Sequence, residues 1–162
     1  MIDVGGGQGA LAIAILKANP SLTAIAFDLP DVVAGARIDD PAMRARLQFV
    51  GGDAMQAVPA GADVYVTSTV LRCFDDRACD TLLRNIRAAM PLHARLAAIE
   101  MVMPETRDQL AMCTADLVAR VIYGGRDRTQ QEFESMFARA GLRFTRTVPV
   151  NAHLFVLEAV PM

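Results

Sequence analysis

The chain has 162 residues, of which 53% are hydrophobic, with a net charge of −2 and a pI near 5.6. That is the length of one domain, spanning 1–162, with enough apolar side chains for a sizeable core; the lack of any Lys/Arg run argues against a nucleic-acid partner. Three cysteines, Cys73, Cys79 and Cys113, form no C-x-x-C, which argues against a disulfide framework or a metal site and fits a reducing cytoplasm. No stretch approaches the roughly 18 apolar residues of a membrane span, and the early Asp3 and glycines leave no room for a signal peptide.

Met1 to Val4 reads as a strand that runs into Gly5-Gly6-Gly7-Gln8-Gly9, and Ala10 to Lys17 reads as a helix. Asn19-Pro20-Ser21 stops it, because Pro cannot continue a helix. Leu22 to Phe27 is predicted as the second strand, and Leu29-Pro30 opens a short helix, Asp31 to Ala36. A further turn or helix covers Ala42 to Arg46, and Leu47 to Val50 forms the third strand, ending in Gly51-Gly52-Asp53. Ala62 to Val66 is a near-continuous apolar fourth strand, as expected for one covered on both faces. Asp75 to Met90 is an amphipathic helix with Leu82, Leu83, Ile86 and Met90 inward and Arg84 and Arg87 outward. Arg95 to Met103 is the fifth strand. Helices follow at Gln109 to Ile122 and Gln130 to Ala140, the latter stopped by Gly141. Leu142 to Val148 and His153 to Val160 have no helix between them, so they should pair as an antiparallel hairpin. Alternating strands and helices that end this way predict an α/β fold with a Rossmann-like, mostly parallel seven-stranded sheet and a C-terminal antiparallel hairpin.

The first turn carries the chemistry. Glycines there admit positive φ and close approach of a ligand to the main chain, next to the unpaired first amides of a helix. Asp28 follows about 20 residues later, where nucleotide-binding βαβ units hold a ribose hydroxyl pair. The pair predicts a site for an adenosine-containing cofactor. Gly5, Gly7 and Ala10 also satisfy the dinucleotide pattern G-x-G-x-x-A, so an NAD-binding domain is an alternative on this stretch alone; a plain dinucleotide domain would lack the terminal hairpin.

A family resemblance runs through nearly the whole chain. Its residues are Asp3-Val4-Gly5-Gly6-Gly7-Gln8-Gly9, Asp28-Leu29-Pro30, Gly52-Asp53, Val70-Leu71 to Asp75-Asp76, Glu100 with Pro104, Gly124-Gly125-Arg126-Asp127-Arg128-Thr129 and Ala140-Gly141-Leu142. In these motifs the chain resembles the catalytic domain of class I S-adenosylmethionine-dependent small-molecule O-methyltransferases of the caffeic-acid and hydroxyindole type, with bacterial polyketide and phenazine members. The resemblance implies S-adenosyl-L-methionine as cofactor. Gly5, Gly7 and Gly9 would surround its amino-acid end, Asp28 its ribose with Leu29 near the adenosine, Asp53 and Met55 the adenine, and Ser68 the cofactor side after the fourth strand. It also implies a small-molecule acceptor and, in the full-length protein, a homodimer.

The family's catalytic block usually reads Leu-His-Asp-Trp; here it is Leu71-Arg72-Cys73-Phe74. A guanidinium with a pKa above about 12 accepts no proton, and neither His93 nor His153 is placed to replace the missing base. Glu100 and Asp127 match the acids that orient the usual base. Three outcomes stay open: an acceptor that needs no base, held as an anion by Arg72 with Glu100 as a conceivable partner; a non-methylating, cofactor-binding relative; or an inactive fragment. Cys73 reads as a buried inert thiol before it reads as a nucleophile, and Met101, Met103 and Met112 as core before an aromatic pocket. Because the chain opens inside a central strand, it is expected to be a fragment that lacks the family's N-terminal helical dimerisation domain, with apolar surface exposed where that domain docks.

Overall fold

The computed structural model describes residues 1–104 and 110–162, except for the side chains of 110–112 and 115. Its strands are β1 (Ile2–Val4), β2 (Ala24–Asp28), β3 (Leu47–Gly51), β4 (Val64–Ser68), β5 (Arg95–Met103), β6 (Arg128–Thr129), β7 (Leu142–Pro149) and β8 (Leu154–Pro161). The helices are α1 (Ala10–Ala18), α2 (Pro30–Val33), α3 (Pro41–Arg44), α4 (Asp76–Ala89), α5 (Leu110–Tyr123) and α6 (Gln130–Arg139), with a 3-10 turn at Leu71–Cys73. The sheet runs β3-β2-β1-β4-β5-β8-β7, and two-residue β6 adds to β5. Pairing is parallel throughout except at β8, which is antiparallel to both β5 and β7. The expected seven strands and terminal hairpin are thus present, with β6 as an eighth.

Apolar side chains of alternating strand residues fill two separate cores. Ala24 and Ala26 of β2 face α1 and α3 with Ala12, Leu16, Met43 and Leu47. Phe27, Tyr65, Leu96 and Ala98 face the other way, onto Leu82, Leu83 and Ile86 of α4 and Phe133, Met136 and Phe137 of α6. Helix ends are set by local chemistry. Asp75 accepts a hydrogen bond from the Ala78 amide to start α4, and Thr129 with Glu132 forms a capping box for α6.

Several expected boundaries shift where ladder geometry overrides local pattern. β4 starts at Val64 rather than Ala62, because its pairing with β5 begins at Val64 opposite Arg95. β2 starts at Ala24, opposite Leu47. Arg87 does not point freely outward: its Nε donates to the Gly141 carbonyl at 3.1 Å and its Nη2 to the Met162 carbonyl at 3.0 Å. Gln109 and the Met112 side chain lie outside the described residues. No described helix is long and apolar enough to cross a membrane.

β1 is flanked by β2 on one side and β4 on the other, so the chain order reverses there. In open parallel sheets such a switch point leaves a crevice beyond the carboxyl ends of the strands.

Candidate functional site

That crevice opens above the first glycine turn. Gly5, Gly7 and Gly9 have φ of 75°, 58° and 82°. Gly5 is needed for two reasons, since a Cβ there would also lie 2.6 Å from Val70 Cγ2. At Gly7 no atom lies within 4 Å of where a Cβ would stand, so the turn presents bare backbone to open space. Gly9 packs against Phe49 and caps α1 in the left-handed region, which accounts for its identity without any ligand. The Gly5 and Gly6 amides donate to the Phe27 carbonyl at 2.8 and 3.2 Å and fix the turn to β2.

Asp28 ends β2 beside this turn. Its Oδ2 accepts from the Gly7 amide at 2.8 Å and its Oδ1 from the Leu29 amide at 2.7 Å. A carboxylate has about four lone-pair sites, so two contacts leave room for two hydroxyl donors. A cavity of about 230 Å³ gathers Gly5, Asp28, Leu29, Asp53 and Met55, five residues singled out in the sequence. Asp53 is also a turn residue: its Oδ1 accepts from the Met55 amide at 2.8 Å and its Oδ2 from Gln56 Nε2 at 3.2 Å. The remaining walls, missed at the level of sequence, include Val4, Phe27, Val70, Phe74 and Leu82. One signal for them was Gly52, where a Cβ would meet the Phe27 ring at 2.6 Å. Gly7, Gly9 and Ser68 do not line this cavity.

Beneath the turn lies Asp3, 1% exposed, whose Oδ2 has no hydrogen-bond partner. Burial, then the charge of Asp28, pushes its carboxyl up to about 6. A Cβ on Gly6 would lie 2.8 Å from Asp3 Cγ, so the carboxylate itself excludes any side chain at that position.

Arg72 sits on the 3-10 turn after β4. It pairs with Asp127, not with Glu100: its Nε and Nη2 donate to Oδ1 and Oδ2 of Asp127 at 2.8 and 3.0 Å. The arginine side chain is 20% exposed and the aspartate 0%. Asp127 is thus occupied by a two-pronged ion pair, rather than left with nothing to orient. Its backbone amide in turn donates to Asp116 Oδ1 of α5 at 2.8 Å. Glu100 is buried; its Oε1 accepts from the Leu71 amide at 2.8 Å and its Oε2 has no partner. Burial pushes this carboxyl up to about 7, against the opposing pull of the Leu71 and Arg72 amides and the nearby guanidinium groups.

Cys73 is no activated nucleophile. Burial and the neighbouring Glu100 raise its thiol, outweighing Arg72. Cys79, inside the core, is pushed up to about 12 by burial. His93 pairs with Asp63 at 2.9 Å where β4 and β5 begin, at the opposite edge of the sheet from the crevice, and His153 is exposed before β8. Met103 lines a second cavity of about 210 Å³ with Val102 and Phe155, and Met101 does not. Among the described residues no cluster of His, Cys, Asp and Glu could hold a metal ion.

The model of a family described as an O-methyltransferase domain matches residues 1–143. A phenazine O-methyltransferase of Lysobacter antibioticus is 38% identical over 164 residues, which take in 100% of this chain and 48% of that protein. Among solved structures, mitomycin 7-O-methyltransferase superposes with a TM-score of 0.94 at 32% identity, over 99% of this chain and 48% of that one. An O-methyltransferase from neocarzinostatin biosynthesis, solved with S-adenosylhomocysteine and 1,4-dihydroxy-2-naphthoic acid, superposes with a TM-score of 0.89 at 31% identity, over 99% and 48%. The chain spans about half the length of the curated relatives it matches.

Proposed function

The chain belongs to the O-methyltransferase domain family, and from that premise we propose that it binds S-adenosylmethionine in the crevice at β1 and delivers the methyl group to a small aromatic or polyketide-like acceptor. One observation carries this: the cavity where Gly5, Asp28, Leu29, Asp53 and Met55 converge, with open backbone at Gly7 beside it. The fit is chemical as well as spatial. Asp28 has acceptor capacity for a ribose diol, the walls from Phe27, Met55 and Phe74 suit an adenine, and the Asp3 carboxylate, with its Oδ2 unpartnered, lies beneath the turn that would face a cationic cofactor. Related proteins are solved with S-adenosylmethionine or its demethylated product, which supports the same assignment here.

When bound, the cofactor supplies a methyl group already activated by its sulfonium. The protein's share is then alignment and exclusion of water. Arg72 only donates hydrogen bonds and takes no proton. With Asp127 committed to it, no imidazole-like base stands at this edge among the described residues. The favoured acceptor therefore brings a nucleophile that needs no deprotonation by the enzyme: an acidic phenol, an enolised polyketide or a ring nitrogen. The same Arg72–Asp127 pair favours a second reading, a relative that binds the cofactor without methylating. We also propose that this chain is the catalytic part of a longer protein with an added helical dimerisation region. In support, the relatives are about twice its length, and Leu117, Val118, Val121, Ile122 and Tyr123 of α5 stand exposed.

Two measurements test these readings. Calorimetry with S-adenosylhomocysteine should show binding, and labelled methyl transfer should favour acidic phenols, enols and ring nitrogens over phenols that stay protonated at pH 7. Binding without transfer to any class leaves the non-methylating reading, and no binding removes both.

A further inference from the structure

Arg128 is the largest of the fully buried side chains, at 1% exposure, and no step above uses it. Buried cations persist only when paired and fully hydrogen-bonded, so its surroundings are informative. Nη1 donates to the Leu71 carbonyl at 2.9 Å and Nη2 to the Phe74 carbonyl at 2.9 Å. Nε and Nη2 both reach Asp76 Oδ1, at 2.9 and 2.8 Å, and Nη1 also reaches the Arg126 carbonyl at 3.1 Å. One guanidinium therefore grips both ends of the turn that turns Phe74 toward the cofactor cavity and Arg72 toward Asp127.

Three independent features converge on the same turn. A Cβ on Gly125 would overlap the Arg72 carbonyl oxygen, so the loop carrying Asp127 and Arg128 lies backbone to backbone against it. Glu100 holds the Leu71 amide from below. Thr69, just before the turn, has φ 55°, the only positive value outside glycine among the described residues. A β-branched residue stays in that conformation only where its surroundings over-determine it. Asp76 completes the clamp: burial raises its carboxyl, but hydrogen bonds from Arg128 and Arg126 more than offset this and hold it below its ordinary value.

We propose that Arg128 is a positioning residue that locks the 71–74 turn, so that the Phe74 wall of the cofactor cavity and the Arg72–Asp127 pair move as one body. The proposal rests on the cofactor reading above. It makes Arg72 a reporter of cofactor binding although Arg72 does not line the cavity.

The test uses the chain with S-adenosylhomocysteine as probe, followed by calorimetry and by the Arg72 Nε–H resonance in 15N spectra. Two variants are compared, Arg128→Lys and Asp76→Asn. Asp76 is 53% exposed and Asn keeps its Oδ1 acceptor, so this variant removes the charge from the clamp while leaving the hydrogen-bond geometry available. In the unaltered chain the probe should shift the Arg72 resonance. Each folded variant should bind the probe about tenfold more weakly or worse, since a lost hydrogen bond to a charged group is worth that factor, and should lose the Arg72 response. Lys keeps the charge without the fork, so it should not rescue. Variants that melt earlier yet keep both affinity and the Arg72 response would show a merely structural arginine and overturn the proposal. If the unaltered chain does not bind the probe, the cofactor reading fails and the proposal fails with it; if it binds while Arg72 stays silent, the proposal alone is lost.

Discussion

Asp28→Ala separates the two jobs that Asp28 holds. In the folded chain this carboxylate accepts from the Gly7 amide at 2.8 Å and the Leu29 amide at 2.7 Å. Hydrogen bonds to a charged acceptor contribute about 1.5–3 kcal/mol each when buried; Asp28 is only partly buried, so about 1 kcal/mol each is reasonable. Loss of about 2 kcal/mol in a domain of this size lowers Tm by roughly 4–8 °C. The ribose contacts add an independent loss of about 1.5–3 kcal/mol in binding, or roughly 10- to 150-fold in Kd. The assay is thermal unfolding without ligand, followed by calorimetry with S-adenosylhomocysteine well below Tm so that every variant is folded. Asp28→Asn should fall between, because its carbonyl oxygen still serves one amide while the amide nitrogen cannot accept. A Tm drop of the expected size with affinity within twofold of the unaltered chain would refute the ribose role and leave Asp28 as a brace for the glycine turn.

Four further outcomes are expected. Arg72→His should place an imidazole beside Asp127 and Glu100 and raise methyl transfer to a phenol that stays protonated at pH 7, by about 10²–10⁴-fold if a general base is what is missing; unchanged turnover would show that chemistry is limited elsewhere. Glu100 titrates near 7 in the fold against an ordinary value of 4.5, so the folded chain binds its proton more tightly, and this stabilisation is present below pH 4.5 and lost as pH rises through 7. Glu100→Gln has no such loss, and its free energy of unfolding relative to the unaltered chain should climb between pH 4.5 and 7.5, by an amount bounded at about 3 kcal/mol; a flat difference would mean that Glu100 is not buried as described. Val121→Glu on exposed α5 should reduce binding of a hydrophobic dye without lowering Tm, and equal dye binding would show that this helix is not the apolar surface. NADH should raise Tm less than S-adenosylhomocysteine does, and the reverse would revive the dinucleotide alternative.

The strand and helix order was legible because each element carries its own signal. Alternation and apolar runs mark the strands, Leu82, Leu83 and Ile86 mark the buried face of α4, and Gly141 marks the end of α6. Positions fixed by pairing were not legible: β4 begins where Arg95 stands opposite, which only the assembled sheet specifies. In the site, glycines and acids could be read because their chemistry is local. Phe27, Val70, Phe74 and Leu82 could not, since an apolar wall of a cavity has the same pattern as core. Arg87 and Arg128 were hidden for a related reason. A cation reads as surface until folding brings carbonyl oxygens and a carboxylate to it, here from 71, 74 and 76 in one case and 141 and 162 in the other.

The chemistry of the acceptor side turns on one exchange. A histidine at 72 would leave Asp127 free to orient a ring nitrogen; an arginine consumes both carboxylate oxygens. The guanidinium accepts no proton, and both oxygens of its carboxylate partner are already taken. Among the described residues, Glu100 is the other acid beneath it with an unused oxygen, and at 0% exposure that oxygen is out of an acceptor's reach. On the proposed methyl-transfer reading, rate would come from alignment against the methyl donor, an effect that can supply about 7–11 kcal/mol when geometry is fixed. An acceptor that is already nucleophilic needs no more than this. A phenol with an ordinary pKa near 10 is ionised to about one part in a thousand at pH 7, a deficit of roughly 4 kcal/mol. Among the described residues none at the Arg72 edge makes up that deficit, so on the proposed reading acceptor acidity is the property that should order the substrates of this site.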